Sequence, residues 1–160
     1  MSPLRPLPLT PDAFRPYGRV AAAGHGDVRS VNAGTALRFD ADAGFDRAAG
    51  ATRPVLAVYR SQPQALPLAV PLLERHPHSS QTFVAMDGAR WLVVVAVDPA
   101  VPAAFLVAPG QAVTYGRGVW HSPLLVLGRA ADFAMLMWET GAGDDTELLP
   151  LDRPLTVLEP

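Results

Sequence analysis

The sequence predicts an all-β fold, a small closed or nearly closed β-barrel with one or two short helical turns. Three observations lead there. Seventeen prolines and thirteen glycines are scattered through the 160 residues, and breakers at that spacing leave room for many short strands but few helices. Between them the apolar residues fall in short runs, such as Val55–Tyr59, Leu66–Leu73 and Trp91–Val97. Two polar segments, Glu74–Gln81 and Gly116–Pro123, follow such runs. If these segments pair in one sheet, their side chains converge on a pocket. The length makes a single domain over residues 1–160 the expectation, large enough for a real core.

Taken in order, Leu4–Leu9 reads as an opening strand. Thr10-Pro-Asp-Ala-Phe14 has an N-cap Thr, Pro at the first helical position and an early Asp, which predicts one helical turn. Gly18–Ala23 is the next strand and Gly24–Asp27 a turn. Val31–Asp40 reads as extended, with Leu37 and Phe39 on one face and Arg38 on the other. Ala41–Arg53 is small, charged and Gly-containing, a surface loop. Val55–Tyr59 is a strand ending at Arg60, and Leu66–His76 is the next. Gln81–Met86 and Arg90–Val97 read as a hairpin turning at Asp87-Gly88. Ala103–Val107 and Ala112–Tyr115 flank a Pro109-Gly110 turn. Val119–Leu127 and Asp132–Trp138 are expected to pair across Gly128-Arg129. The tail from Asp144 alternates enough for one or two short edge strands.

Composition removes several classes of function. The net charge is −2 and half the residues are hydrophobic, which argues against nucleic acid or an anionic membrane as the main partner. All 13 basic residues are Arg, so there is no Schiff-base lysine and no P-loop. With no Cys there is no disulfide framework, thiolate nucleophile or thiolate metal site. The start, Met1-Ser-Pro-Leu-Arg-Pro, breaks where the apolar core of a signal peptide would lie. The longest apolar run, ending at Asp98-Pro99, is too short to span a bilayer. A cytoplasmic protein is expected.

In an extended chain Glu74, His76 and His78 point the same way. Ionisable groups on one strand face are costly to bury unless something there needs them. His76-x-His78-x2-Gln81-x6-Gly88 resembles the first cupin motif, one residue short and with Gln for Glu. Gly110-x5-Gly116-x-Gly118-x2-His121 resembles the second, with Gly116 for Pro and Leu125 for the usual Asn. Both in order imply a cupin-like (jelly-roll) barrel.

A wider resemblance then covers nearly the whole chain. It is carried by Leu9-Thr-Pro-Asp-Ala-Phe14-x-Pro-Tyr-Gly18, Asn32-x-Gly34 with Arg38, and Arg60-x-x-Pro63. It continues through Leu73-Glu-Arg-His-Pro77 with Gln81 and Phe83, then Trp120-His121-x-Pro123 and Asp132-Phe133. Together these resemble the ureidoglycolate lyase family of allantoin and purine catabolism. The resemblance implies a cupin-like barrel, commonly dimeric, that cleaves ureidoglycolate to glyoxylate and urea. The chain departs from the pattern at Ser122, where a second His is common, and at Met137-Trp138-Glu139, where many members carry an Asp-Arg pair.

Cleaving that C–N bond needs a base for the hydroxyl proton, an acid for the departing urea nitrogen, and a cation for the carboxylate. Glu74, His76 and His121 are the candidate catalytic residues. One of Glu74 and His76 is expected to take the hydroxyl proton, with His121 assisting the leaving group, or the reverse. Asn32, Arg38, Arg60 and Gln81 are the candidate substrate-binding residues, with Arg38 or Arg60 on the carboxylate. His76, His78 and His121 are candidate ligands for a divalent metal. With Gln81 in place of the cupin Glu, no cofactor is counted as certain, and at most a weak dependence of activity on metal is expected. The apolar runs Leu66–Leu73 and Arg90–Val97 suggest a homodimer, because a small barrel cannot bury both faces of every strand. Two alternatives stand on the same residues. One is a non-catalytic cupin that binds a small carboxylic acid or sugar, the other a metal-dependent cupin enzyme.

Overall fold

Strands form where the apolar runs predict them, and the breakers set their ends. The structure, a computed structural model, describes residues 2–160. The chain runs β1 (Leu7–Pro8), α1 (Pro11–Phe14), β2 (Gly18–Ala22), β3 (Asp27–Val31), β4 (Ala36–Asp40), β5 (Arg53–Ser61), β6 (Leu68–Arg75) and β7 (Gln81–Ala85). It continues through β8 (Trp91–Ala96), β9 (Ala103–Val107), β10 (Gln111–Tyr115), β11 (Trp120–His121), β12 (Leu125–Val126), β13 (Ala131–Glu139) and β14 (Glu147–Val157). The predicted helical turn is α1, and the Thr10 hydroxyl accepts from Ala13 N as its cap. α1 fixes Phe14, fully buried and edge-on to Phe105 at 5.7 Å.

Two sheets carry the molecule. The larger has the order β1-β9-β8-β11-β6-β14, with β12 also on β8; the smaller has the order β2-β10-β7-β13-β5. The main core lies between them, with Trp91, Val93 and Val95 from one sheet against Phe83, Val113, Phe133 and Met135 from the other. The all-β, jelly-roll reading holds, but the two sheets share no strand, so they face each other as a sandwich. The larger sheet also curls. Leu4 bridges in parallel to Val157, giving Leu4 N to the Thr156 carbonyl at 2.8 Å. Inside that curl Leu92 and Val94 pack with Leu68, Val70, Leu73 and Leu155. Strand β8 is therefore buried on both faces. This is why Trp91–Ala96 reads as a continuous apolar run rather than an alternating one.

Several expected pairings differ. Strands β7 and β8 lie in opposite sheets and do not form a hairpin; the Asp87-Gly88 turn instead carries the chain from one sheet to the other. β9 and β10 are divided in the same way. Strand β13 pairs with β5 and β7, not with β11 or β12. Every such crossing keeps an apolar face on the shared core, which local alternation cannot reveal. The tail is one long edge strand, β14, with its register shifted between Pro150 and Leu155. The stretch Val31–Asp40 is not one strand. It turns at Asn32-Ala33-Gly34, all at positive φ, so that β3 and β4 form a separate two-stranded hairpin. Among the described residues no helix is long and apolar enough to cross a membrane.

Close approach explains one glycine. At Gly18, where β2 meets β10, a Cβ would lie 1.9 Å from the Thr114 carbonyl oxygen. Any side chain there would push the edge strand off its sheet.

Candidate functional site

The polar segments predicted to meet do meet. In the larger sheet β11 lies between β6 and β8, and His121 stands opposite Glu74 on one side and Val95 on the other. Strand β6 stops at Arg75, and Pro77 turns the chain before β7 begins. His76 therefore lies just past the strand end, still beside Glu74, with its ring 5.3 Å from that of His121. One donor atom from each of Glu74, His76 and His121 lies within 4.8 Å of the others. They border a cavity of about 330 Å³, whose wall includes Tyr59, Arg60, Glu74, His76, Gln81, Phe83 and Thr146. That volume suits a small metabolite. A larger open cleft lies elsewhere, between Pro63–Leu66, Arg90 and Leu127–Arg129.

Hydrogen bonds orient both rings. His76 Nδ1 lies 2.9 Å from the Asp145 carbonyl and His121 Nδ1 2.9 Å from the Val119 carbonyl. In the neutral rings these nitrogens carry the protons and donate, leaving both Nε2 atoms as lone pairs. His76 Nε2 is buried and has no partner among the described residues. His121 Nε2 lies 3.2 Å from the Gln81 side-chain oxygen and 3.7 Å from Glu74 Oε1. A neutral His121 suits this place when the Gln81 amide turns its NH₂ toward that lone pair. Tyr115 stacks flat on His121, with centroids 4.1 Å apart and planes 9° apart.

Burial sets the charges. It pushes the His121 pKa down to about 3, with His76 adding to the effect, so this ring is neutral near pH 7. The close approach of His121 to Glu74 is therefore not an ion pair. Burial also raises the Glu74 pKa above the ordinary carboxylate value, against a smaller opposing influence of His76. Tyr59, at the cavity mouth, is raised by burial and by Glu74.

The other predicted residues are placed as follows. Gln81 is buried beside His121. Arg60 lies on the rim, its guanidinium bound by both Asp132 oxygens at 2.8 Å. Asn32 and Arg38 do not reach the cavity. Asn32 forms the tip of the β3–β4 hairpin, where its backbone carbonyl accepts from Thr35, and Arg38 pairs with Asp40 on the same hairpin. His78 is also absent from the cluster: it sits beyond the Pro77 turn, with Nε2 3.2 Å from Asp144. Ser122 turns away from the cavity, and its hydroxyl accepts from Val94 N at 3.3 Å. Trp138 and Glu139 point elsewhere, to Phe45 and Arg53. Neither departure from the expected pattern thus lines the cavity.

Sequence reasoning missed Tyr59, Tyr115, Thr146 and the Asp145 carbonyl. The only signal for Tyr59 is its place just before Arg60, and the tail residues carry no chemical pattern. As to metal, both Nδ1 atoms are held by carbonyls, and one donor atom from each of Glu74, His76 and His121 lies within 4.8 Å of the others. This is the outer-shell arrangement that orients imidazole ligands. Glu74, His76 and His121 fit a divalent ion.

The chain matches the family described as ureidoglycolate lyase over residues 1–158. It is 40% identical over 157 residues to a ureidoglycolate lyase of Rhizobium etli, covering 96% of this chain and 94% of that one. With a ureidoglycolate lyase of Burkholderia cepacia it shares 41% identity over 138 residues, 83% of this chain and 78% of the other. A 3,4-ketoisomerase from Helicobacter canadensis shares the fold, at TM-score 0.51 and 14% identity over 81% of this chain and 88% of that one. The chain belongs to the ureidoglycolate lyase family.

Proposed function

We propose that this protein is a cytoplasmic, homodimeric ureidoglycolate lyase of purine catabolism, acting as one domain over residues 1–160. The observation that carries the reading is the convergence of Glu74, His76 and His121 on one small cavity, in a chain of this family. Ureidoglycolate bears a carboxylate, a hydroxyl and a ureido nitrogen on one carbon. A base takes the hydroxyl proton, the C–O bond becomes C=O, and the C–N pair leaves with nitrogen, which must gain a proton. No net proton is consumed, so one carboxyl group can serve both steps. Glu74, its pKa raised by burial, takes the hydroxyl proton and returns it to the urea nitrogen.

His121 is better suited to accepting than to donating. Its pKa is pushed down to about 3, and its one N–H is given to Val119. The lone pair of His76 receives the hydroxyl or a ureido N–H group and holds the substrate in line, while that of His121 is held by Gln81. His76 Nε2, without a protein partner, is the alternative first base. Gln81 presents its amide beside them. Arg60, the cation among the cavity's wall residues, holds the carboxylate while shared with Asp132.

The same donor set supports a second reading, in which Glu74, His76 and His121 hold a divalent metal. Such an ion would supply Lewis-acid polarisation of the substrate oxygens. Elemental analysis, with and without chelation, separates the two. About one metal per chain, lost together with activity, selects the metal reading. For the function itself, purified protein should release glyoxylate and urea in equal amounts, faster than the spontaneous reaction. If none forms, yet small carboxylates raise the melting temperature, the protein is a binding module instead.

A further inference from the structure

We propose that in the homodimer each copy lays its β3–β4 hairpin, as an arm, across the outer face of the partner's five-stranded sheet, over Leu56, Val58 and Leu136. The inference rests on the dimer reading and names the surface that makes it.

The arm is an anomaly within one chain. Among the described residues, strands β3 and β4 pair with each other and with no third strand. A lone two-stranded hairpin is at best marginally stable in water. Its two faces differ sharply. Residues directly opposite share a face, so Val28 and Phe39 lie together with Ser30 and Leu37, while Arg29, Arg38 and Asp40 lie on the other side. The charged side is satisfied, with both arginines on Asp40. The apolar side is largely bare: Val28 is 58% and Leu37 64% exposed, while Phe39 is half-buried.

A matching bare surface exists on the same chain. On the outer face of the small sheet, Leu56 stands opposite Leu136 and Val58 opposite Ala134, with Val84 next across. Leu56 is 72% and Val58 62% exposed. The rest of that face is already covered. Thr82 and Thr114 point the same way yet are buried, and the segment after the arm is tied to either side of them, through Asp42 to Arg19 and Phe45 to Trp138. Within one chain arm and patch do not cover each other, since Val28, Leu37, Leu56 and Val58 all stay exposed.

Dimensions and area favour a second copy. The two-stranded arm, about 17 Å long and about 5 Å between its strand axes, is narrow enough to lie on the three-strand patch, about 10 Å between outer axes. One arm on one patch falls short of the ~800 Å² per partner that stable interfaces bury. A two-fold axis repeats the contact, so each copy gives an arm and receives one.

The chain has no cysteine, which makes the test direct. Leu37→Cys and Val58→Cys proteins are prepared separately, then unfolded and refolded together under oxidising conditions. The mixture should yield a covalent dimer that neither variant forms alone. Sedimentation should show a wild-type dimer at micromolar concentration, and Leu56→Asp should give a folded monomer by circular dichroism. Self-linking of Val58→Cys alone would mean sheet on sheet, and self-linking of Leu37→Cys alone would mean arm on arm; either overturns the exchange. So does a dimer with no cross-link in the mixture, although the dimer reading then survives. A monomeric wild type sinks both. None of these readouts depends on activity, so failure of the lyase reading would show separately.

Discussion

Two neighbouring parts of the larger sheet obey opposite rules. In β8 every side chain from Trp91 to Ala96 is buried and apolar. One strand away, where β11 meets the end of β6, the buried groups are His121, His76 and half of Glu74. His121 touches both regions, facing Val95 on one side and Glu74 on the other. The first region is what burial alone would select, apart from the Trp91 indole N–H, which is buried with no partner among the described residues. The second holds a neutralised imidazole, a carboxyl of raised pKa and a His76 nitrogen without a protein partner. Such groups oppose folding unless a ligand completes them. Stability and chemistry are thus divided between adjacent strands, and substitutions should separate them.

The largest separation is expected at His76. His76→Ala should lower kcat by about 10²–10⁴, as removal of a positioned proton-handling group does, while the urea midpoint stays within a few tenths of a molar of wild type. A midpoint collapse with normal kcat would reverse the assignment. In the other region Leu92→Ala, at a fully buried position, should cost about 2–5 kcal/mol of stability. Its kcat per folded molecule should be unchanged, and a matching loss of kcat would show that the regions are not separable.

Acid should expose the tension within the site. Between its folded value of about 3 and its ordinary 6.5, His121 is protonated in the unfolded chain and not in the native one. Stability should therefore fall as pH drops through that window, by up to about 1.4 kcal/mol per unit. Glu74 acts with opposite sign: its raised pKa makes the native state bind more protons above the ordinary 4.5, so its ionisation lowers stability as pH rises. Urea titrations from pH 7 to pH 4 should show a steep loss in wild type and a flatter one in His121→Asn. Equal slopes would mean that His121 is charged in the folded state. The smallest effect is expected at the rim. Arg60→Ala should raise KM by about tenfold with little change in kcat, because the contact binds ground and transition states alike; Asp132 already shares that guanidinium.

The sequence made the cluster legible because polar residues interrupting apolar runs have few structural reasons to be there. Glu74, His76 and His121 stood out for that reason, and the register joined them. His78 misled because alternation was carried past Pro77, where the strand had already ended at Arg75. Arg38 misled because its segment alternates well as one strand; the left-handed turn at Asn32-Ala33-Gly34 breaks it in two. Asn32 and Gly34, two residues apart, were the available warning. The Asp87-Gly88 turn was placed correctly, but its hairpin was not. A turn fixes where the chain reverses, and only the packing of two sheets decides whether the next strand joins the same one.

The direct test is to measure kcat for ureidoglycolate and unfolding free energy together, in Glu74→Gln and in Leu92→Ala, under one set of conditions. The predicted pattern crosses. Glu74→Gln loses about 10²–10⁴ in kcat and keeps or gains stability, while Leu92→Ala loses stability and keeps kcat. Full activity in a folded Glu74→Gln protein would contradict the assignment of this cluster as the place where the C–N bond is broken.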